Sequence, residues 1–206
     1  MFKEKKYKLI KKAFSKDVMK LCENYILLKN KCYDILSNET YLSPYNKDWG
    51  YYESSTAQVP ETYACYGDLL ADSLLGIFKS KIEKITGHKL YNSYSYLRNY
   101  KQGDVLNPHV DRPQCDISTT VFIGGSKWPF YLKDGNKKVS VNLDIGDCLL
   151  YKGEEIEHWR EPLRGKNCVQ IFLHYVRDKK QEYDERIYLG LPYKFSFKKG
   201  KDKNEL

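Results

Sequence analysis

Four histidines occur in the 206 residues, at positions 88, 109, 158 and 174. His109 and Asp111 form an H-x-D pair, and in an extended strand residues i and i+2 project to the same side. An imidazole and a carboxylate then converge on one point. His158 follows 49 residues later, at the end of a strand-rich stretch, and an antiparallel core returns it to that point. Two imidazoles and one carboxylate on one side of a metal leave three positions open, a donor set suited to non-haem Fe(II). Alone the pair is weak evidence. Four histidines and fourteen aspartates produce an H-x-D by chance in about one chain in four of this length. The surrounding motifs must decide.

The elements that hold these residues are readable in outline. Ser15 is placed to cap a helix over roughly 16–36, whose apolar face is read as Val18, Leu21, Cys22, Tyr25, Ile26 and Leu28. Residues 37–62 are polar, aromatic and proline-bearing and read as loop. A second helix is expected over 67–86, stopped by Gly87. Beyond it the texture changes to short β-branched or aromatic runs: Tyr91–Tyr100, Ile117–Ile123, Phe130–Leu132, Val139–Leu143, Cys148–Tyr151 and Cys168–Val176. Gly, Pro, Asn and Asp separate them. Such spacing predicts an antiparallel sandwich or barrel, so the fold class is mainly β with N-terminal helices (α+β).

Three stretches carry a family resemblance. YLRNYKQGDVLNPHVD, residues 96–111, resembles the prolyl-4-hydroxylase-like branch of the Fe(II)/2-oxoglutarate dioxygenases, where a strand tyrosine and a turn glycine precede H-x-D. IGDCLLY (145–151) with EHWREP (157–162) is similar to that branch's glycine-aspartate turn and distal-histidine strand. CVQIFLHY (168–175) is similar to its closing strand. The resemblance covers about residues 90–177. It implies a double-stranded β-helix (jelly roll) core over 89–177. Helices within 13–88 would support it and a basic tail over 178–206 would follow, the whole forming one domain. It also implies His109, Asp111 and His158 as iron ligands, with 2-oxoglutarate and O2 as cosubstrates and ascorbate as a possible reductant. The implied reaction couples oxidative decarboxylation of 2-oxoglutarate to hydroxylation of a peptidyl or free amino acid.

In one respect the chain departs from the pattern. The family usually places a base at the start of the closing strand to pair with the distal carboxylate of 2-oxoglutarate, and here that neighbourhood is Asn167-Cys168-Val169. A guanidinium suits a planar carboxylate, and a buried unpaired carboxylate is costly. Arg160 shares the metal-facing side of a strand with His158 and is the candidate anchor. Tyr100, at the strand-tyrosine position, and Gln170 are candidate hydrogen-bonding partners of the cosubstrate. Arg112 in the following loop is read as a loop ion pair or a substrate contact, Trp128 as packing, and His174 as a core histidine.

Charge sets the remaining expectations. The formal net charge is +8. Residues 1–12 hold six lysines and one glutamate, and residues 194–206 hold five lysines and two acids. The body between them carries 24 basic and 24 acidic groups. Both ends therefore read as solvated tails, and a nucleic-acid partner is disfavoured. There is no apolar run of membrane-spanning length and no signal-peptide core, which points to a cytoplasmic protein with six free thiols. Three alternatives remain: a nucleic-acid demethylase of the same superfamily, a cupin-like metal enzyme without 2-oxoglutarate, and a non-catalytic jelly-roll binding module.

Overall fold

In the computed structural model the described residues are 2–43, 45–177, 186 and 188–191. A short helix α1 (Phe2–Lys5) leads into strand β1 (Tyr7–Ile10). Helix α2 runs Lys16–Asn38, and Ser15 Oγ accepts the Val18 N–H at 3.3 Å, as the capping residue predicts. Its buried residues are Met19, Cys22, Ile26 and Asn30, whereas Val18, Leu21 and Leu28 are exposed. The helix carries two adjacent apolar stripes, and the sheet takes the one at spacing 3, 4, 4. Helix α3 (Leu69–Thr86) starts at Asp68, whose carboxylate accepts Leu70 N–H at 2.9 Å. It ends at Gly87 in the left-handed region, φ +71°.

The strands that follow are β2 (Tyr51–Tyr52), β3 (Tyr63–Tyr66), β4 (Tyr91–Lys101), β5 (Leu106–His109), β6 (Ile117–Gly125), β7 (Phe130–Asp134), β8 (Lys137–Val141), β9 (Cys148–Tyr151), β10 (His158–Arg160) and β11 (Asn167–Val176). A seven-stranded sheet has the order β1-β9-β6-β11-β4-β3-β2, and a four-stranded sheet the order β5-β10-β7-β8. Every pairing is antiparallel. From β4 onward the pairs are nested: β7 with β8, β6 with β9, β5 with β10, β4 with β11. A long hairpin has in effect been folded over on itself, which brings residues far apart in sequence face to face.

Alternation along the strands divides two cores. Leu97, Val169, Ile171, Leu173 and Tyr175 pack with the helices. Tyr100, Cys168 and Phe172, on the other face of the same strands, pack with Leu106, Phe130 and Leu132 of the smaller sheet. Each fully buried Leu or Phe contributes about 1.5–3 kcal/mol. The H-x-D and the distal histidine lie at the edge of this second core.

Three expectations need correction. Residues 1–12 are not simply a solvated tail, because β1 hydrogen-bonds to β9 and covers that edge of the sheet. Lys11 there pairs with Asp144 at 2.9 Å and with Asp147 at 2.5 Å. Residues 37–62 include β2, which pairs with the following β3, and β3 in turn pairs with β4, remote in sequence. The proposed tail over 178–206 lies mostly outside the described residues. Within it, however, Arg186 bonds Asp72 of α3 at 2.6 Å, the Gly190 N–H bonds the same carboxylate at 2.6 Å, and Leu189 is buried. The six cysteines are free thiols. Among the described residues no helix is long and apolar enough to cross a membrane.

Candidate active site

Strands β5 and β10 pair with His109 directly opposite His158. Their ring centroids are 4.2 Å apart. Asp111 lies just beyond the end of β5 and is fixed by its N–H to the Gly153 carbonyl at 2.8 Å. Asp111 Oδ1 is 3.6 Å from His109 Nε2 and 3.5 Å from His158 Nε2. The three predicted ligand residues thus offer donor atoms within 4.8 Å of one another.

The same local device orients both imidazoles. His109 Nδ1 donates to the Asn107 carbonyl at 2.8 Å, and His158 Nδ1 donates to the Ile156 carbonyl at 2.9 Å. With the proton on Nδ1, each Nε2 presents its lone pair to the shared point. The His158 ring is held further by Phe130, stacked at 5.3 Å, and by Tyr151, edge-on at 4.8 Å. Burial pushes the Asp111 carboxyl up, but contacts with His109 and His158 outweigh it and hold the group well below the usual carboxylate range. The carboxylate is therefore ionised. Burial lowers the His109 pKa, yet Asp111 and the Asn107 carbonyl leave it above 6.5.

Asp111, Cys115 and His174 also cluster. Burial raises the Cys115 thiol to about 12, and Tyr94 Oη lies 3.0 Å from its sulfur, so this group stays protonated. The better donor set is His109, Asp111 and His158, which matches the two-histidine, one-carboxylate arrangement of non-haem iron.

Arg160 follows His158 by two residues and is almost fully buried. Its guanidinium donates to the Trp128 carbonyl and, at 2.8 Å, to Gln170 Oε1. Its Cζ lies 4.9 Å from the ring centroids of both Trp128 and Phe130. Nε has no partner, and among the described residues no carboxylate pairs with the group. Burial draws its pKa down. A charge so placed is costly unless something anionic joins it.

No protein-family profile and no curated protein matches the sequence. Solved structures do match the fold. A prolyl-4-hydroxylase from Pseudomonas putida aligns at 12% identity with TM-score 0.59, covering 86% of this chain and 95% of that one. HygX from Streptomyces hygroscopicus, with nickel and 2-oxoglutarate bound, aligns at 11% identity with TM-score 0.63, covering 88% and 86%. A viral collagen prolyl hydroxylase from Paramecium Bursaria Chlorella virus-1 aligns at 12% identity with TM-score 0.56, covering 84% and 97%. The chain has the fold of the 2-oxoglutarate/Fe(II) oxygenases.

Within that oxygenase fold, the remaining predicted residues fall as follows. Gln170 Oε1 accepts from Arg160 and, at 2.6 Å, from Thr120, while its amide nitrogen meets Cys168 Sγ at 3.3 Å. Gln170 therefore aims Arg160. Tyr100 is buried in the same core, edge-on to Trp128 at 5.0 Å. Trp128 packs as expected and bonds the Glu161 carbonyl at 2.6 Å through its indole N–H. Arg112 is exposed, with Cζ 4.8 Å from the Tyr94 ring centroid.

Sequence reasoning missed several supporting groups. Ser118 Oγ lies 2.9 Å from Asp111 Oδ2 and 2.9 Å from His174 Nδ1. When His174 donates to Ser118, the single hydroxyl proton is available to Asp111 Oδ2 or to the Cys115 carbonyl, also at 2.9 Å, while Oδ1 faces the two imidazoles. His174 is thus a core histidine with a task. Burial, against a partial pull from Asp111, lowers it to about 4 and keeps it neutral. Arg98 is a second buried guanidinium, paired with Glu53 at 2.9 Å. Gly153 packs so closely that a Cβ there would stand 2.5 Å from Asp111 Oδ2. None of these has a local sequence signal, because each contact joins separate segments, several of them loops and turns that carry no period.

Proposed function

We propose that the chain is an Fe(II)/2-oxoglutarate-dependent oxygenase that hydroxylates an amino acid, free or within a peptide. In this reading the nested strands from β4 to β11 are the two halves of a double-stranded β-helix. Residues 89–177 are its catalytic core and 13–88 its helical support. The observation that carries the proposal is Arg160, a buried guanidinium with no carboxylate partner among the described residues, two residues from the candidate ligand His158. A two-residue strand step is about 6.6 Å, which suits a short dicarboxylate held at one end by the metal and at the other by Arg160. Charge agrees. A divalent ion on Asp111 leaves one net positive charge, Arg160 supplies a second, and 2-oxoglutarate is a dianion.

His109 Nε2, Asp111 Oδ1 and His158 Nε2 would hold the iron. Bound together, iron, 2-oxoglutarate and O2 supply the oxidising chemistry. Arg160 binds the far carboxylate in a fixed orientation, because Gln170, the Trp128 carbonyl and the flanking rings leave it little freedom. Tyr100, beside them, donates its hydroxyl proton to the cosubstrate. Trp128, Phe130 and Tyr151 exclude water and so strengthen the ion pair. Ser118, next to His174, would help orient Asp111, whose Oδ1 faces the two imidazoles. The amino-acid substrate class is supported by the two prolyl hydroxylases among the structures of like fold.

Anaerobic addition of Fe(II) and 2-oxoglutarate to apo-protein tests the reading. A weak visible charge-transfer band is expected. His109→Ala abolishes it, and Arg160→Ala weakens cosubstrate binding while iron still binds. Absence of the band in the wild type refutes the 2-oxoglutarate reading. Succinate release with amino acids, peptides and oligonucleotides then identifies the substrate class, and stimulation by oligonucleotides alone would overturn the amino-acid assignment.

A further inference from the structure

Arg112 directly follows Asp111, and of the two roles its sequence position offers, a loop ion pair or a substrate contact, the fold does not supply the first. Among the described residues no carboxylate pairs with its guanidinium. Acids of the neighbouring loops are held elsewhere: Asp116 pairs with Arg177 at 2.7 Å and Glu155 with Lys152 at 3.0 Å, while Asp111 faces the two candidate ligand imidazoles. The Arg112 Cζ lies instead 4.8 Å from the centroid of the Tyr94 ring. That ring is fixed, because it stacks on Tyr66 at 4.5 Å, meets His174 at 4.5 Å and has its hydroxyl 3.0 Å from Cys115 Sγ. The backbone is fixed as well. Pro113 restricts residue 112 to extended conformations, here φ −74° and ψ 162°, and the Arg112 carbonyl accepts the Cys115 N–H at 2.8 Å. Arg112 is thus an exposed cation on a rigid aromatic platform.

Its place relative to Arg160 gives that charge a use. Gln170 and His174 lie on the same face of β11, four residues and so about 13 Å apart along the strand. Arg160 bonds Gln170 at one end of this span, and Tyr94, which carries Arg112, packs on His174 at the other. Ser118 joins His174 to Asp111, so the two guanidinia approach the candidate metal donors from opposite ends of the strand. Charge points the same way. A divalent ion, Asp111, Arg160 and a dianionic cosubstrate together are neutral, which leaves the Arg112 charge uncompensated at the outer end. Given the oxygenase function proposed above, we infer that Arg112 binds a free carboxylate of the substrate, so that the chain acts on a free amino acid or on the C-terminal residue of a peptide and not on an internal residue. A guanidinium and a carboxylate meet as a planar, charge-assisted pair. A carboxamide or an internal peptide bond offers one neutral acceptor in its place and forfeits the charge.

Calorimetric titration under argon, on the full chain loaded with Fe(II) and 2-oxoglutarate, tests the inference without turnover. The probes are the free L-amino acids, short peptides with a free C-terminus, and the same compounds as carboxamides; succinate release in air is then measured on the same set. At least one free acid should bind, and its amide roughly 10–100-fold more weakly. Arg112→Gln should remove that discrimination and raise KM for the acid by the same factor, with kcat changed far less, and Arg112→Lys should restore part of the loss. Free amino acids against peptides with a free C-terminus decides between the two sources of the carboxylate. Acid and amide bound equally well by the wild type overturn the inference, a comparison that needs no variant to fold. Discrimination that survives Arg112→Gln overturns it too. If the charge-transfer band forms but no free acid binds, the carboxylate assignment fails and the oxygenase function stands. If the band is absent, the oxygenase function fails and this inference with it.

Discussion

Gly153→Ala places a methyl group where Asp111 is held. Its Cβ would stand 2.5 Å from Asp111 Oδ2, 2.8 Å from Ser118 Oγ and closer still to the Cys115 carbonyl oxygen. The Cys115 carbonyl is backbone, next to the turn Pro113–Cys115 and its Cys115 N–H to Arg112 carbonyl bond of 2.8 Å, so it yields little. The backbone at Gly153 or Cys115 must shift, and the carboxylate and hydroxyl that crowd the same point must move as well. Overpacking of this kind costs about 1–3 kcal/mol, which for a chain of this size lowers Tm by roughly 2–12 °C. Displacing Asp111 from its serine partner adds a specific loss, since removal of such an outer contact lowers metal affinity by about 10–100-fold. Calorimetric titration of apo-protein with Mn(II) or Fe(II) under argon measures the second effect, and a thermal melt measures the first. The alanine variant should show both. Metal affinity equal to wild type alongside a lowered Tm would refute the reasoning, because the clash would then be relieved without moving the ligand.

Other outcomes follow from the same geometry. Arg160→Met removes a buried charge without a counterion, so apo-protein should keep or raise its Tm while 2-oxoglutarate affinity falls by about 30-fold or more. A melt and a binding titration on the same sample check this. Gly76 lies in α3 with open space around its missing Cβ, so Gly76→Ala should stabilise by about 0.5–1 kcal/mol, read as a raised denaturation midpoint. The His109 pKa is raised, so its contribution to apo stability is present below about 6.5 and is lost as pH rises through the elevated value. The Asp111 contribution is present above the unfolded carboxylate value and is lost only in strong acid. Metal affinity runs opposite to the His109 term, because iron needs the neutral ring. It should fall as pH drops through that value, and titrations from pH 5 to 8 against His109→Gln check the sign.

Local signals in the chain marked its two long helices, most strands of the β core and a candidate donor set. Ser15, Asp68 and Gly87 set helix ends through hydrogen bonds to their own neighbours, and the strand runs carry their alternation with them. His109, Asp111 and His158 were legible through the motifs around them, and Arg160 through its two-residue spacing from His158 on one short strand. Tertiary structure alone decided which of two apolar stripes on α2 meets the sheet, that residues 7–10 complete a sheet edge, and that Arg186 returns to Asp72. It also decided that Ser118, His174 and Gly153 shape Asp111, and that Gln170 serves Arg160. In each of these the contact joins segments far apart along the chain or on different elements and loops, and a spacing rule that works along one strand has no reach across two.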